Sequence, residues 1–160
     1  MRLADELSGF RHTIDIRVRF DDLDPLGHVN NKSYLAYLED SRIDYYRVVL
    51  AFDLHALRFG SVVRRIEIDY VRPVHIADRV RVYLRCVRIG RKSADFESVI
   101  TRTGESGPES MAARSVATLV AIDSERGVSR VWDEEYVRAI DAYERIPPRR
   151  ATAEHRTAGR

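Results

Sequence analysis

The stretch DLDPLGHVNN, residues 22–31, lies directly before the amphipathic segment KSYLAYLEDSRIDYYRVVL, residues 32–50. Aspartate, proline, glycine and asparagine are turn formers, so their concentration predicts a tight turn. Asn30, Asn31 and Ser33 can each cap a helix, because a short polar side chain accepts a hydrogen bond from an N–H of the first turn. The segment that follows is long enough for a helix of about five turns.

The predicted helix has an apolar stripe and a more polar remainder. Glu39 and Arg42 belong to the remainder and lie three residues apart, which is the spacing of a surface ion pair. We therefore expect one buried face and one solvated face. The residues of the apolar stripe are Leu35, Leu38, Ile43, Tyr45 and Val49.

Alternating apolar and polar residues predict strands on both sides of this helix. Residues 13–20 form the first, and its expected inward residues are Ile14, Ile16, Val18 and Phe20. Four more segments follow within residues 61–123, separated by short turns that favour antiparallel pairing. The predicted fold class is therefore α+β, with one long central helix wrapped by an antiparallel sheet of about five strands.

The length of 160 residues favours one domain, which we place at residues 12–145. Residues 1–11 lack periodicity and are expected to be a flexible lead-in. A short C-terminal helix is predicted in DEEYVRAIDAYER, residues 133–145, with Asp133 as its cap. The polar, proline-bearing residues 146–160 are expected to be disordered.

Composition argues against several classes of protein. With 27 basic and 25 acidic residues the net charge is +2, too even for a nucleic-acid-binding face. No apolar run is long enough to cross a bilayer, and the N-terminal residues lack the apolar core of a signal peptide. The single Cys86 cannot form an internal disulfide. We therefore expect a cytoplasmic protein with neither a nucleic-acid nor a membrane partner.

Sequence motifs also argue against a metal or nucleotide site. No Gly-rich strand-to-helix turn of the P-loop or dinucleotide type occurs. Counted as a calcium loop from Asp22, the fifth and twelfth positions are Leu26 and Ser33, which do not provide the required ligands. The histidines lack the pair spacing of a helical metal site. A Ser-His-Asp triad is left open by spacing, but no nucleophile-elbow sequence supports it.

The turn and the helix together resemble the opening motif of the hotdog fold, and more narrowly of the 4-hydroxybenzoyl-CoA thioesterase family of acyl-CoA thioesterases. DYVRPVHIADRV, residues 69–80, is similar to the family's strand-Pro-strand connection, with Ala77-Asp78 in place of the usual Gly-Asp. This resemblance implies hydrolysis of an acyl-CoA to a free carboxylic acid and CoA. The residues that carry the first motif are Phe20, Asp22, Asp24, the run 27–31, Tyr34 and LEDSR at 38–42.

The resemblance assigns the catalytic carboxylate to Asp24, either as nucleophile or as general base toward water. It implies that an amide near Asn31 polarises the thioester carbonyl, because a helix N-terminus has unpaired N–H groups and a partial positive charge. Gly27 and His28 are expected near the acyl carbonyl, glycine because the substrate must approach the backbone and His28 to orient it. Spacing alone explains these polar residues better as turn formers, and Asp22 is expected to be structural.

Further substrate contacts are expected at Val29 and Tyr34, although a helical tyrosine is also explained by core packing. Arg88, Arg91 and Lys92 lie at a strand turn, where they either meet the phosphates of CoA or form a solvated hairpin tip. CoA is expected as part of the substrate and the product, with no other cofactor and no metal.

The resemblance also implies a homodimer or a homotetramer, since hotdog subunits usually join their sheets edge to edge. Two alternatives remain: a hotdog module that binds acyl thioesters without cleaving them, and an acyl-carrier-protein thioesterase, which needs a basic docking face. A hotdog dehydratase is disfavoured because its usual histidine-acid pattern is absent around the long helix. The sequence leaves the acyl group open.

Overall fold

A computed structural model describes residues 2–51 and 60–150. Its main elements are the long helix and five strands of five to fourteen residues, joined by a 3₁₀ turn at Phe20–Asp22 and by short loops. In chain order the helices and strands are α1 Leu3–Leu7, β1 His12–Ile16, α2 Asn31–Val49, β2 Ser61–Tyr70, β3 Arg79–Ile89, β4 Ser93–Thr103, β5 Ser110–Asp123, β6 Val128–Ser129, α3 Glu134–Tyr143 and β7 Arg149–Arg150.

The five main strands form one curled antiparallel sheet in the order β1-β3-β4-β5-β2. The two-residue strand β6 pairs with β5, and β7 pairs with β3 in parallel. Helix α2 packs against β1 and β3. The predicted α+β architecture, with one long helix, an antiparallel sheet and a short C-terminal helix, is confirmed.

The strand predictions hold where one face of the sheet is buried. In β3 the alternate residues Val80, Val82, Leu84 and Cys86 are at most 2% exposed. In β4 the same alternation buries Ala94, Phe96, Ser98 and Ile100. Successive side chains of a strand point to opposite faces, so the sequence period of two becomes a buried layer.

The first strand is shorter than predicted. β1 ends at Ile16, and Val18 is buried beyond it. Phe20, expected on the inward side, lies in the 3₁₀ turn and is 82% exposed. The chain leaves the sheet after Ile16, so the alternation that placed Phe20 inward no longer applies.

The inward face of α2 is aromatic rather than aliphatic. Leu35, placed in the predicted stripe, is 42% exposed, whereas Arg42, placed on the solvated face, is buried. Burial lowers the pKa of Arg42 below its ordinary value, while Tyr46 and Glu39 oppose this shift. The buried residues recur at the helical spacing and are Ser33, Tyr34, Tyr37, Leu38, Ser41, Arg42, Tyr45 and Tyr46.

Both ends of the described chain pack against the domain, and the predicted lead-in at 1–11, domain at 12–145 and tail at 146–160 stay predictions. Phe10 is buried, and the guanidinium of Arg85 lies over its ring, 4.7 Å from the centroid. At the other end Arg149 and Arg150 form β7. Residues 151–160 of the predicted tail lie outside the described residues. No helix in residues 2–51 and 60–150 is long and apolar enough to span a membrane.

The C-terminal helix begins where predicted, with Asp133 in the N-cap position. The carboxylate of Asp133 makes no capping hydrogen bond to the helix. It accepts a hydrogen bond from Arg130 Nη1 at 2.7 Å instead. At the end of the helix Glu144 is buried, and its Oε1 accepts hydrogen bonds from the hydroxyl of Tyr45 at 2.7 Å and from the amide of Cys86 at 2.8 Å. Glu144 therefore links α3 to both α2 and β3.

The second oxygen of Glu144 is buried without a hydrogen-bond partner among the described residues. Burial raises the pKa of Glu144 above its ordinary value of 4.5, although the bonds from Cys86 and Tyr45 oppose the shift. The folded protein therefore keeps this proton at pH values where the unfolded chain has lost it. The contribution of Glu144 to stability consequently falls as pH rises from 4.5 through the raised pKa.

We expect Glu144→Gln to remove this loss, because glutamine keeps an oxygen for Tyr45 and Cys86 but carries no charge. The free energy of unfolding of the variant should rise relative to wild type as the pH increases from 4.5 through the raised pKa, measured by urea unfolding at each pH. The control is Glu134→Gln, which changes a 92% exposed side chain on the same helix. A difference between Glu144→Gln and wild type that stays constant with pH would contradict the burial argument.

Candidate active site

The loop before α2 is organised around Asp24. Its Oδ1 accepts hydrogen bonds from the amides of Leu26 at 2.8 Å and His28 at 3.2 Å. The amide of Asp24 donates to the carbonyl of His28 at 2.8 Å, and the amide of Gly27 donates to the carbonyl of Asp24 at 3.0 Å. One carboxylate oxygen is thus held by the turn, while Oδ2 accepts no hydrogen bond from the described part of the chain.

Asp22 fastens this loop to the helix, which agrees with its expected structural role. Its Oδ2 accepts hydrogen bonds from the hydroxyl of Tyr37 and the amide of Arg19, both at 2.8 Å. Its carbonyl oxygen accepts from the amide of Asn30 at 2.7 Å and the hydroxyl of Ser33 at 3.2 Å. Burial, and then the bond to Asp22, raise the pKa of Tyr37, so its hydroxyl keeps the proton that it donates.

The start of α2 offers a backbone donor. Asn30 is the N-cap, and its side-chain oxygen accepts from the amide of Lys32 at 3.0 Å. Asn31 is the first helical residue, and its amide makes no hydrogen bond to another residue in 2–51 or 60–150. An N–H in this position is available to a carbonyl oxygen of a ligand.

Gly27 has a positive φ of 78°. A Cβ added there would meet nothing within 4 Å, so the structure requires glycine for its backbone conformation and not for lack of space in the isolated chain. The expected reason, close approach of a substrate, concerns a ligand and stays a prediction.

We expect Gly27→Ala to lower the free energy of unfolding by about 1 kcal/mol, because an L side chain is strained at positive φ. Gly27→Asn should lose less, since asparagine tolerates this conformation. The matched control is Gly107→Ala, where a Cβ also meets nothing within 4 Å but φ is ordinary. Urea unfolding measures all three variants, and equal losses at both positions would refute the strain.

A second loop, residues 71–78, lies against the first. The amide of Val29 donates to the carbonyl of Val74 at 2.8 Å. The imidazoles of His28 and His75 lie edge to face, with centroids 4.9 Å apart. Neither His75 nor Asp78 is among the site residues expected from the sequence, where the only signal for them was their position in the strand-Pro-strand segment.

A cavity of about 1490 Å³ opens between the segment that follows β1, helix α2 and the start of β3. Asp22 and Tyr37 lie on its wall, whereas Asp24, Gly27, His28 and Asn31 do not line it. The lining residues are Asp15, Ile16, Arg17, Val18, Arg19, Phe20, Asp22, Ala36, Tyr37, Asp40, Ile76, Asp78, Arg79, Val80, Arg81, Thr101, Thr103 and Glu109.

Two expected substrate-binding residues belong to the core. Val29 is 4% exposed and Tyr34 is 2% exposed. The ring of Tyr34 packs edge to face on Tyr70 at 5.1 Å, and burial raises the pKa of Tyr34. In the single chain these side chains therefore support the loop and the helix instead of facing an open surface.

The basic turn lies far from Asp24 within one chain. Arg88 is the penultimate residue of β3, and Arg91 and Lys92 follow the strand. His75 and Asp78 precede its first residue. Eleven residues of strand separate the two ends, which is roughly 35 Å at the usual rise. Arg88 also pairs with Asp95 at 2.6 Å, and the amino group of Lys92 donates to Ser129.

The structure gives no grouping of metal ligands in the described ranges. Within residues 2–51 and 60–150, no three histidine, cysteine, aspartate or glutamate side chains lie together as they would around an ion.

Comparisons with known proteins agree with this architecture. The sequence model of the thioesterase-like superfamily matches residues 18–152. The long-chain acyl-CoA thioesterase FadM of Escherichia coli (strain K12) is 33% identical over 109 residues, which is 68% of this chain and 80% of FadM. A thioesterase of Thermus thermophilus, crystallised with coenzyme A and Zn, is 37% identical with a TM-score of 0.76, over 87% of this chain and 98% of that one.

A more distant structure shares the fold. It is a mutant of 4-hydroxybenzoyl CoA thioesterase complexed with 4-hydroxybenzoyl CoA, 18% identical with a TM-score of 0.71, over 80% of this chain and 96% of that one. The fold and these matches together define a hotdog protein of the thioesterase class. The chain belongs to the thioesterase-like superfamily, and the predictions of the hotdog fold and of a thioester hydrolase are confirmed.

Proposed function

We propose that the protein hydrolyses an acyl-CoA thioester to a free carboxylic acid and CoA, with Asp24 as the catalytic carboxylate. The observation that carries the proposal is the geometry of Asp24. One oxygen is fixed by the amides of Leu26 and His28, and the other accepts no hydrogen bond from the described residues. The same loop leads directly into the amide of Asn31 at the start of α2.

The proposed mechanism needs only these groups. The amide of Asn31 donates to the thioester carbonyl oxygen and stabilises the oxyanion that forms there. Oδ2 of Asp24 either takes a proton from the attacking water or attacks the carbonyl carbon, and in both routes the C–S bond breaks and CoA leaves as a thiolate. In the second route water then hydrolyses the mixed anhydride. Gly27 and His28 border the acyl carbonyl, and His28 orients it.

The proposed acyl group is an aliphatic chain. Apolar residues form part of the wall of the cavity beside Asp22, next to charged ones, and apolar surface binds an acyl chain by removing its surface from water. FadM, by its name, acts on long-chain acyl-CoA. The apolar residues of the wall are Ile16, Val18, Phe20, Ile76 and Val80.

We expect Asp24→Asn to lower kcat/KM at least about 100-fold, because asparagine keeps the oxygen that holds the turn but can act neither as base nor as nucleophile. Thiol release from a panel of acyl-CoAs, followed with a chromogenic disulfide, measures the effect. Asp21→Asn is the matched control, because Asp21 is an exposed acid of the same segment. Full activity in Asp24→Asn would move the catalytic role elsewhere.

The phosphates of CoA have two candidate contacts. Arg17, Arg19 and Arg79 line the cavity near Asp22, so in this proposal they bind CoA within one subunit. The basic turn with Arg88, Arg91 and Lys92 reaches the site only if a second copy of the chain brings it there. Arginine suits either position, because its fork of donors matches phosphate oxygens.

We expect Arg79→Ala to raise KM for acyl-CoA more than it lowers kcat, because a phosphate contact far from the reacting carbon contributes uniform binding. Arg91→Ala, also an exposed arginine, serves as the matched comparison and should leave KM unchanged. The opposite pattern in steady-state kinetics would assign the CoA contact to the basic turn of a second subunit.

A second candidate function, a module that binds acyl thioesters without cleaving them, is favoured by one observation. Asp24 also satisfies its own turn, which is the behaviour of a structural aspartate. Binding of acyl-CoA measured by calorimetry, with no thiol release from CoA or acyl-carrier-protein thioesters, would select this candidate. Activity restricted to acyl-carrier-protein thioesters would show that the substrate carries its acyl group on that protein and not on CoA.

The homo-oligomer is part of the proposal. β2 stands last in the order of the sheet and exposes Val62 and Val63, so a second copy can pair with this strand. The cytoplasmic location stays a prediction.

A further inference from the structure

His75 occupies an unusual position beside the proposed site. It is half-exposed, so core packing does not account for it, yet its ring lies edge to face on His28 with an interplanar angle of 82°. Edge-to-face contact is a favoured arrangement of aromatic rings. The neighbouring backbone bond from Val29 to Val74 holds the two loops at this distance.

An ion pair between the buried Asp78 and the partly exposed Arg102 holds the turn that carries His75. Oδ2 of Asp78 accepts a hydrogen bond from the amide of His75 at 2.9 Å and lies 3.6 Å from its Nδ1. The side chain of Asp78 is only 5% exposed and pairs with Arg102 Nε at 3.1 Å. Arg102 also donates to the carbonyl of Pro73 at 3.0 Å. The backbone of the turn and the imidazole thus face the same anchored carboxylate oxygen.

His28 in turn holds the proposed catalytic carboxylate. Its amide donates to Asp24 Oδ1, and its carbonyl accepts from the amide of Asp24. A side chain on a loop normally samples several rotamers, and this freedom has to be lost when a substrate binds. A neighbouring ring held in place reduces that cost, because fewer orientations of His28 remain available.

We propose that His75 is a positioning residue, which holds the imidazole of His28 in one orientation toward the acyl carbonyl. The inference rests on the proposed function. Asp78 and Arg102 set the place of His75, His75 limits the orientation of His28, and His28 borders the carboxylate of Asp24. The segment PVHIAD thereby gains a role in the reaction besides that of a connection between β2 and β3.

Two variants separate the ring of His75 from its polar anchor. His75→Asn keeps a side-chain donor for Asp78 but removes the ring from His28, whereas His75→Phe keeps a ring and removes the donor. We expect His75→Asn to lower kcat about tenfold with KM within about twofold of wild type, because misorientation affects the chemical step more than binding. His75→Phe should retain more of kcat than His75→Asn.

The imidazole NMR signal of His28, assigned with His28→Gln, provides a readout without turnover. It should shift in His75→Asn, while the signal of His12, which packs against Tyr45 and Tyr143, stays in place. Asp78→Asn should also move the His28 signal, and Asp95→Asn, which removes another arginine-paired acid, should not.

Wild-type kcat in His75→Asn, or an unmoved His28 signal, would overturn the positioning role. A wild-type protein that releases no thiol would refute the proposed function instead, and the His28 signal in Asp78→Asn, which keeps the His75 ring, would then decide whether His75 orients His28.

Discussion

The structure of the site depends on the hydrogen bonds accepted by Asp22. Its carboxylate accepts hydrogen bonds from the amide of Arg19 and the hydroxyl of Tyr37. Its carbonyl oxygen accepts from the amide of Asn30 and the hydroxyl of Ser33. The two bonds to the carboxylate are the stronger ones, because hydrogen bonds to a charged group are stronger than those between neutral groups. They place the last residue of the loop at the N-terminus of α2, so the orientation of the loop and the start of the helix are set together.

Tyr37 shows how the core and the site share one side chain. It is buried on the inward face of α2, its hydroxyl binds Asp22, and it also lines the cavity. A tyrosine combines a large apolar ring with one polar atom, so it can serve a core and a polar site at once. The aromatic face of α2 is for this reason both the main packing surface and the support of the proposed catalytic loop.

The sequence predicted the sheet better than the helix. Alternation in β3 and β4 follows from burial of one face, and it was sufficient to assign Val80 and Phe96 to the interior. In α2 the apolar residues alone misplaced Leu35 and Arg42, because tyrosines occupy the inward positions and a long arginine stem can be buried beside them.

The motif around Asp24 could be predicted as a turn followed by a capped helix, since both depend on neighbouring residues. The contact between the loops at residues 28 and 75 could not, because only the tertiary fold brings them together. The pairing of β7 with β3 could not be predicted for the same reason, because it joins residues that are distant in the sequence.

The margin of the sheet at β3 has a consequence for assembly. β1 stops pairing with β3 at Leu84. Beyond Leu84, the carboxylate of Glu144 accepts a hydrogen bond from the amide of Cys86, and β7 pairs with Arg88 and Ile89 of β3. The chain's own C-terminal residues thus close the remainder of this margin, whereas β2 presents ten residues in one run. Among the described residues β2 is thus the long unpaired edge of the sheet, and covering the opposite margin limits strand-by-strand growth into fibres.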